Sequence, residues 1–301
     1  MKSESIHKFK RILGRGFIES IYKSLRFLSD EKYLRLMFRL RMGTKLDLEN
    51  PKTISEKLQW LKLYDRKDIY TAMADKYLAK KFIAEKVGEE YVIPLIGVWD
   101  KFDEIDFGSL PNKFVLKCNH DSGSVIICED KAKLDVHEAR RILEKSLRTD
   151  YFILKREWQY KNIQRKIICE QYLSDEGKDG VLTDYKFFCF SGIPKFLYVA
   201  TDSSNQNEHE TFLDLSWNTV PFRRKEYPEH TNIPQKPVNF DEMVKIARQL
   251  SADISFLRVD FYEVRGKLYV GELTLFPGAG YLVFDPDEYN RIIGDWVDLP
   301  R

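Results

Sequence analysis

Arg258-Val259-Asp260-Phe261 and, a few residues on, Gly271-Glu272-Leu273-Thr274-Leu275-Phe276-Pro277-Gly278 are the stretches on which the reading of this chain turns. They lie in two strand-like runs, 256–264 and 267–275, around Arg265-Gly266, a hairpin signal. Polar and apolar residues alternate, so Arg258 and Asp260 share one face, as do Glu272 and Thr274, while Val259, Phe261, Leu273 and Leu275 face a core. A three-residue loop at 265–267 sets Asp260 opposite Glu272 and Arg258 opposite Thr274. Two carboxylates, a guanidinium and a hydroxyl then meet on one surface. Adjacent carboxylates repel unless a cation sits between them, and hard oxygen donors suit Mg²⁺ carried by a nucleotide.

Two further stretches bear on phosphate and base. Phe114-Val115-Leu116-Lys117 is an apolar strand ending in lysine, followed by the small polar turn Asn119-His120-Asp121-Ser122-Gly123-Ser124. A point charge beside a turn rich in N–H donors suits phosphate. The P-loop pattern G-x-x-x-x-G-K-[ST] is absent, and a β-hairpin with an edge lysine accounts for the same residues without chemistry. Ile167-Ile168-Cys169-Glu170-Gln171-Tyr172-Leu173 is an apolar strand; where such a strand runs out between two lobes, its backbone groups can meet an adenine edge.

Around these motifs, helical periodicity dominates the first third. Thr53-Ile54-Ser55-Glu56 opens an apolar-periodic run to residue 64, and 75–87 forms another before Gly88. Helices are predicted at 136–147 and 240–252, and strands at 184–190 and 195–200 flank Ser191-Gly192-Ile193-Pro194 as a hairpin. This order predicts an α+β architecture with antiparallel sheets rather than a doubly wound parallel sheet.

Composition narrows the function classes. With 301 residues, 43% hydrophobic and 32% charged, the chain reads as globular, and no apolar run approaches a bilayer span. Residues 1–41 hold no continuous apolar h-region, so a cytoplasmic location is expected. Cys118, Cys128, Cys169 and Cys189 form no C-x-x-C pair and read as reduced packing cysteines; the histidines lack zinc-ligand spacing. The net charge of +2 is uneven, because residues 1–41 carry 11 Lys/Arg against 4 Asp/Glu. Within that segment Ile6, Phe9, Leu13, Phe17, Ile21 and Leu25 recur at helical spacing. A basic amphipathic helix of this kind can lie on an anionic membrane or cap the main body with a solvated basic face. No nucleic-acid motif accompanies the basic residues, so no nucleic-acid partner is expected.

In this order and at these spacings, the three stretches resemble the ATP-grasp fold, and longer strings narrow the resemblance to its TupA-like family. Those strings are Glu56-Lys57-Leu58-Gln59-Trp60-Leu61-Lys62, Asp75-Lys76, the run 112–124, Asp184-Tyr185-Lys186-Phe187-Phe188-Cys189-Phe190 and Gly271-Glu272-Leu273-Thr274. The resemblance covers about 48–300. With the basic helical region over 1–66 ahead of it, the resemblance implies a pre-ATP-grasp segment over 67–112, a small subdomain over 113–173 and a large subdomain with the metal site over 174–301.

By the same resemblance, Lys117 contacts the α-phosphate and adenine, the turn from His120 through Ser122, Gly123 and Ser124 closes over the β- and γ-phosphates, and Glu170 and Leu173 hold adenine. Lys186 stands near the phosphates, Asp260 and Glu272 bind Mg²⁺, and Arg258 steadies an acyl phosphate. Most of the wider fold has Asn two residues beyond the glutamate; this chain has Thr274, a poorer oxygen donor, which stands as the third candidate Mg²⁺ ligand. The family implies ATP and Mg²⁺ as cofactors and a carboxylate–amine ligation in cell-envelope polymer synthesis, with a hexuronic acid and an amino acid or other amine as substrates. Arg156 and Lys161 are candidates to grip an acidic sugar, or surface charges on a connection. The rival is a capsule glycosyltransferase using Asp285-Pro286-Asp287 as a D-x-D metal string; a helix start, with Asp285 as N-cap and Pro286 in the first turn, uses every residue of that string.

Overall fold

Strands rich in aromatic and β-branched residues, joined by turns, organise the chain into antiparallel sheets. The computed structural model describes residues 25–174, 182–201, 209–227 and 233–300. Its helices are α1 (Asp30–Met42), α2 (Ile54–Tyr64), α3 (Asp68–Ala74), α4 (Leu78–Val87), α5 (Val136–Leu147), α6 (Tyr151–Lys155), α7 (Phe240–Leu250) and α8 (Tyr289–Asp295). Its strands are β1 (Leu95–Trp99), β2 (Phe114–Cys118), β3 (Ile126–Cys128), β4 (Ile167–Gln171), β5 (Asp184–Phe190), β6 (Ile193–Thr201), β7 (His209–Asp214), β8 (Arg223–Arg224), β9 (Phe256–Val264), β10 (Lys267–Thr274) and β11 (Phe284–Asp285). A four-stranded sheet runs β1-β4-β2-β3 and a five-stranded sheet runs β10-β9-β5-β6-β7, with β11 and β8 paired separately. All these strand pairs are antiparallel, as the α+β expectation requires.

Each sheet has an apolar face and a working face. In the larger sheet, Phe187, Cys189, Leu257 and Val259 are buried in the same core as α7, whose Phe240, Met243, Ile246 and Leu250 recur at helical spacing. The Phe240 ring packs tilted against Phe187 with centroids 5.7 Å apart, which holds α7 on that face. The opposite face carries Asp184, Lys186, Arg258 and Asp260. In the smaller sheet, Phe114, Leu116, Cys118, Ile167 and Cys169 form a second core with α5, leaving Lys117 and Glu170 on the other side. All four cysteines are buried and unpaired by disulfides. β1 joins this sheet from the segment before residue 113, and Val92 just ahead of it bridges Val270 of β10, bringing the two sheets together.

Several expectations change on folding. The β9–β10 turn has two residues, because Val264 pairs with Lys267; a bulge at Gly271 then restores Asp260 opposite Glu272 and Arg258 opposite Thr274. A side chain at Gly271 would place its Cβ 2.5 Å from the Tyr262 ring, so the bulge requires glycine. α4 starts at Leu78 rather than residue 75, since the Asp75 carboxylate accepts from the N–H groups of Tyr77 and Leu78 and from Asn119 Nδ2. The helix expected to start at Asp285 starts at Tyr289. Asp285 instead lies in β11 before a cis bond to Pro286 and faces Arg223 at 3.4 Å, while Asp287 Oδ1 accepts from Asn290 Nδ2.

The N-terminal reading divides. Ile6, Phe9, Leu13, Phe17 and Ile21 lie outside the described residues. From Leu25 onward the segment is packed: α1 buries Tyr33, Leu34, Met37 and Phe38, is capped by Ser29, and ends at Gly43. No helix of the described residues is long and apolar enough to cross a membrane.

Candidate active site

The β9–β10 hairpin and β5 bring five charged side chains, Asp184, Lys186, Arg258, Asp260 and Glu272, together. Arg258 donates through Nε to Asp260 Oδ1 at 2.7 Å and through Nη2 to Asp260 Oδ2 at 2.6 Å, a fork that matches the carboxylate. Lys186, opposite Asp260 across β5 and β9, donates to Asp260 Oδ2 at 2.9 Å and also to Asp184. Arg258 Nη2 further donates to Thr274 Oγ1 at 3.1 Å and lies 3.7 Å from Glu272. Lys76 approaches Glu272 at 3.4 Å and donates to the Asp121 carbonyl.

These neighbours set the charge states. Burial disfavours the Lys186 ammonium, yet Asp260 and Asp184 outweigh it and hold the lysine above its ordinary range. Burial also opposes the Glu272 carboxylate, but Lys76, Arg258 and Lys186 bring it down to about 2. Asp184 moves the other way, to about 6, because burial and the Asp260 charge outweigh Lys186.

The second constellation faces Lys76 and Glu272 of the first across a cleft. Glu170 Oε2 lies 2.5 Å from Lys117 Nζ, and its Oε1 lies 2.6 Å from Lys80 Nζ. The pairing follows from register: Val115 opposes Glu170 and Lys117 opposes Ile168, so Lys117 and Glu170 emerge on one face two positions apart. Lys80 arrives from α4 and also donates to the Ile93 carbonyl at 2.7 Å. Burial raises the cost of the Glu170 charge, but the two ammonium groups hold it ionised below the usual range. Met73, Ile83, Val92 and Leu273 supply apolar walls, and Lys76 and Glu272 close the polar end.

The turn between β2 and β3 differs from its expected use. Ser124 and Asp121 point inward: Ser124 Oγ donates to Asp121 Oδ1 at 2.6 Å and accepts from Cys118 N–H, while Ser146 Oγ donates to Asp121 Oδ2. His120 is 2% exposed and donates through Nε2 to the Ser146 carbonyl at 3.1 Å. The side chains of His120 and Ser124 therefore brace the turn, and the exposed backbone at Ser122 and Gly123 is the part able to reach a ligand.

Of the expected residues, the structure unites Lys186, Arg258, Asp260, Glu272 and Thr274 in one cluster and Lys117 and Glu170 in another, with Leu173 two residues beyond β4. Arg156 corrects its expectation: it is 5% exposed, and its guanidinium faces Asp30 at 3.7 Å, reaches the carbonyls of Leu25, Arg26 and Leu28, and stacks on Tyr33. It clamps the N-terminal segment and is not available to a sugar. Lys161 remains exposed, 5.5 Å from the Phe152 ring. Lys80 escaped sequence reasoning, and Asp184 opened a quoted string without being given a role. Lys76 stood in a quoted string without a role. The spacing of Lys76 and Lys80, one helical turn apart, is the signal that could have raised both.

Comparison with solved structures gives D-alanine–D-alanine ligase from Bacillus anthracis complexed with ATP, at 17% identity and TM-score 0.42, covering 81% of this chain and 63% of that one. The Helicobacter pylori D-alanine–D-alanine ligase follows at 17% and 0.43, covering 82% and 69%. The ATP-grasp ligase PsnB complexed with minimal precursor, Mg and ADP stands at 12% and 0.38, covering 87% and 69%. Another Bacillus anthracis D-alanine–D-alanine ligase structure matches at 16% identity and TM-score 0.40 over 67% of this chain, which spans 57% of that structure's length. No curated protein matches. The family description TupA-like ATPgrasp matches residues 56–298, most of the chain, and the chain belongs to the TupA-like ATP-grasp family.

Proposed function

We propose that the chain is an ATP-dependent ligase that activates a carboxylate as an acyl phosphate and joins it to an amine, releasing ADP and phosphate. The observation that carries this reading is a cleft lined by Lys76, Lys80, Lys117 and Glu170 that ends at Glu272, where Arg258 joins it to the adjoining Lys186–Asp260 cluster. Adenine enters between the apolar walls beside Glu170 and Leu173. Lys117 meets the α-phosphate, and the backbone of Ser122 and Gly123 covers the outer phosphates. Lys186 and Arg258 neutralise charge on the transferring γ-phosphoryl, where positioning and electrostatics supply most of the catalysis. The hard, charged oxygens of Asp260 and Glu272 suit Mg²⁺, and the buried, partnerless Asp184 Oδ1 adds polar capacity beside them. When bound, Mg²⁺ supplies charge neutralisation on the phosphate oxygens.

The substrate reading is a hexuronic acid carboxylate and an amino acid or other amine, in capsular or cell-wall polysaccharide synthesis at the cytoplasmic face, with the basic segment 1–41 as the candidate contact with membrane or assembly machinery. Lys161 is the remaining candidate for the acidic sugar. The glycosyltransferase reading gains nothing, since Asp285 and Asp287 are engaged by Arg223 and Asn290.

Heavy-oxygen labelling tests the reaction class. One label from the substrate carboxylate is expected in inorganic phosphate, with ADP as the nucleotide product, and hydroxylamine should trap a hydroxamate when the natural amine is absent. Formation of AMP, or unlabelled phosphate from a competent substrate pair, would overturn the acyl-phosphate route.

A further inference from the structure

Asp184 opens β5 two residues before Lys186, on the same face. It is 9% exposed; Oδ2 accepts from Lys186 Nζ, and Oδ1 has no hydrogen-bond partner. A buried carboxylate oxygen left without a donor is costly, so its retention beside other charges points to a ligand. The ammonium that Asp184 grips is also gripped by Asp260 Oδ2 at 2.9 Å. Two carboxylates from neighbouring strands thus converge on one cationic nitrogen, which stands where a shared divalent cation would stand. Thr274 has another use: its hydroxyl accepts from Arg258 Nη2 at 3.1 Å and carries no charge to offer.

We propose that Asp184, rather than Thr274, supplies the third protein oxygen of the divalent-cation site, and that Lys186 keeps Asp184 and Asp260 engaged until nucleotide phosphate draws its ammonium away. This rests on the reading of the cleft as a metal–nucleotide centre. Among the described residues no three His, Cys, Asp or Glu side chains form a ready-made metal cage. The reason is visible in the contacts: Lys186 lies between Asp184 and Asp260, and Arg258 lies between Asp260 and Glu272. The cations Lys76, Lys80, Lys117, Lys186 and Arg258 outnumber the carboxylates Glu170, Asp184, Asp260 and Glu272, so no surplus negative charge draws a free divalent ion. Anionic phosphate reverses that balance by attracting Lys186 and Arg258, which releases carboxylate oxygens for the metal.

Mn²⁺ uptake, followed by the resonance of the free ion, tests this without any turnover. The wild-type chain should take up Mn²⁺ with ADP or a non-hydrolysable ATP analogue and not with metal alone. Asp184→Asn should weaken the nucleotide-dependent uptake by at least about tenfold, the scale on which changes around a metal act, and Thr274→Val should leave it at the wild-type level. Lys186→Gln should take up Mn²⁺ without nucleotide, a gain that damage to the fold would not produce. Wild-type uptake by Asp184→Asn, loss in Thr274→Val instead, or no gain in Lys186→Gln overturns the proposal. If Asp184→Asn fails to fold by its near-ultraviolet circular dichroism, the Thr274→Val and Lys186→Gln arms decide. A wild-type chain that takes up no Mn²⁺ with any adenine nucleotide sinks the metal–nucleotide reading and this proposal with it, whereas normal nucleotide-dependent uptake with an indifferent Asp184→Asn sinks this proposal alone.

Discussion

At Glu170 one buried carboxylate balances two ammonium groups from different elements, Lys80 on α4 and Lys117 on β2. Removing one cation leaves the other pair intact, so Lys117→Ala should weaken ATP binding by about 1.5–3 kcal/mol, the range for a charge-assisted contact, with little change in melting temperature. Unchanged affinity in calorimetry would remove Lys117 from the nucleotide site. Glu170→Gln is the harsher change, because it strips the countercharge from both lysines, and should cost about 3 kcal/mol of stability. Across the cleft, Asp184 and Glu272 should leave opposite marks on stability against pH in metal-free protein. The Asp184 carboxyl is raised from 3.8 to about 6, so the folded chain holds its proton more tightly than the unfolded chain does. Its contribution is fully present below pH 4 and lost as pH rises through 6. Glu272 is lowered from 4.5 to about 2, so its contribution is present above 4.5 and lost as pH falls through 2. Melting temperatures of wild type against Asp184→Asn and Glu272→Gln over pH 2 to 8 check both slopes; parallel curves for the two variants would contradict the charge assignments.

The β9–β10 hairpin is the element that decides alignment. Its two-residue turn alone would offset Glu272 from Asp260 by one position, and the Gly271 bulge recovers the pairing. Gly271→Ala drives a methyl into the Tyr262 ring, and overpacking of that kind costs about 1–3 kcal/mol. The expected result is a lower melting temperature together with weaker nucleotide-dependent Mn²⁺ binding, both partly restored by a second change, Tyr262→Ala, that makes room. Loss of stability with metal binding untouched would show that the bulge supports the sheet and not the site.

Over the whole molecule, the N-terminal segment is joined to the body of the chain from Leu25 onward. Arg156 binds the carbonyls of Leu25, Arg26 and Leu28, and Tyr33 donates its hydroxyl proton to the Leu154 carbonyl at 2.8 Å. Deleting residues 2–24 should leave a folded protein with its nucleotide affinity. Extending the deletion through residue 42 should give aggregates, because Tyr33, Leu34, Met37 and Phe38 lose their place in a shared core and Arg156 loses its acceptors. Sedimentation and nucleotide binding of the two truncated chains check this; a soluble, ATP-binding product of the longer deletion would show that α1 is dispensable.

Sequence alone determined what depends on short-range periodicity. Period-two alternation placed Arg258 and Asp260 on one face and Val259 and Phe261 on the other, because adjacent side chains of a strand must point to opposite sides. The Thr53–Glu56 capping box and the span of α5 were legible for the same reason, since each is settled within a few residues. Even the Asp260–Glu272 pairing was legible, although the loop that was expected to create it was replaced by a tighter turn and a bulge. Tertiary structure decided the rest. Lys80 and Glu170 lie ninety positions apart, Lys186 and Asp260 seventy-four, and Arg156 and Leu28 one hundred and twenty-eight. No local pattern specifies which distant charge a buried charge will meet; packing does, because a side chain withdrawn from water must find its partner among whatever the fold brings within reach. That is why Arg156 reads in sequence as a hand for substrate and in the folded chain holds the N-terminal segment, and why Asp184 acquires a meaning only when Lys186 and Asp260 stand beside it.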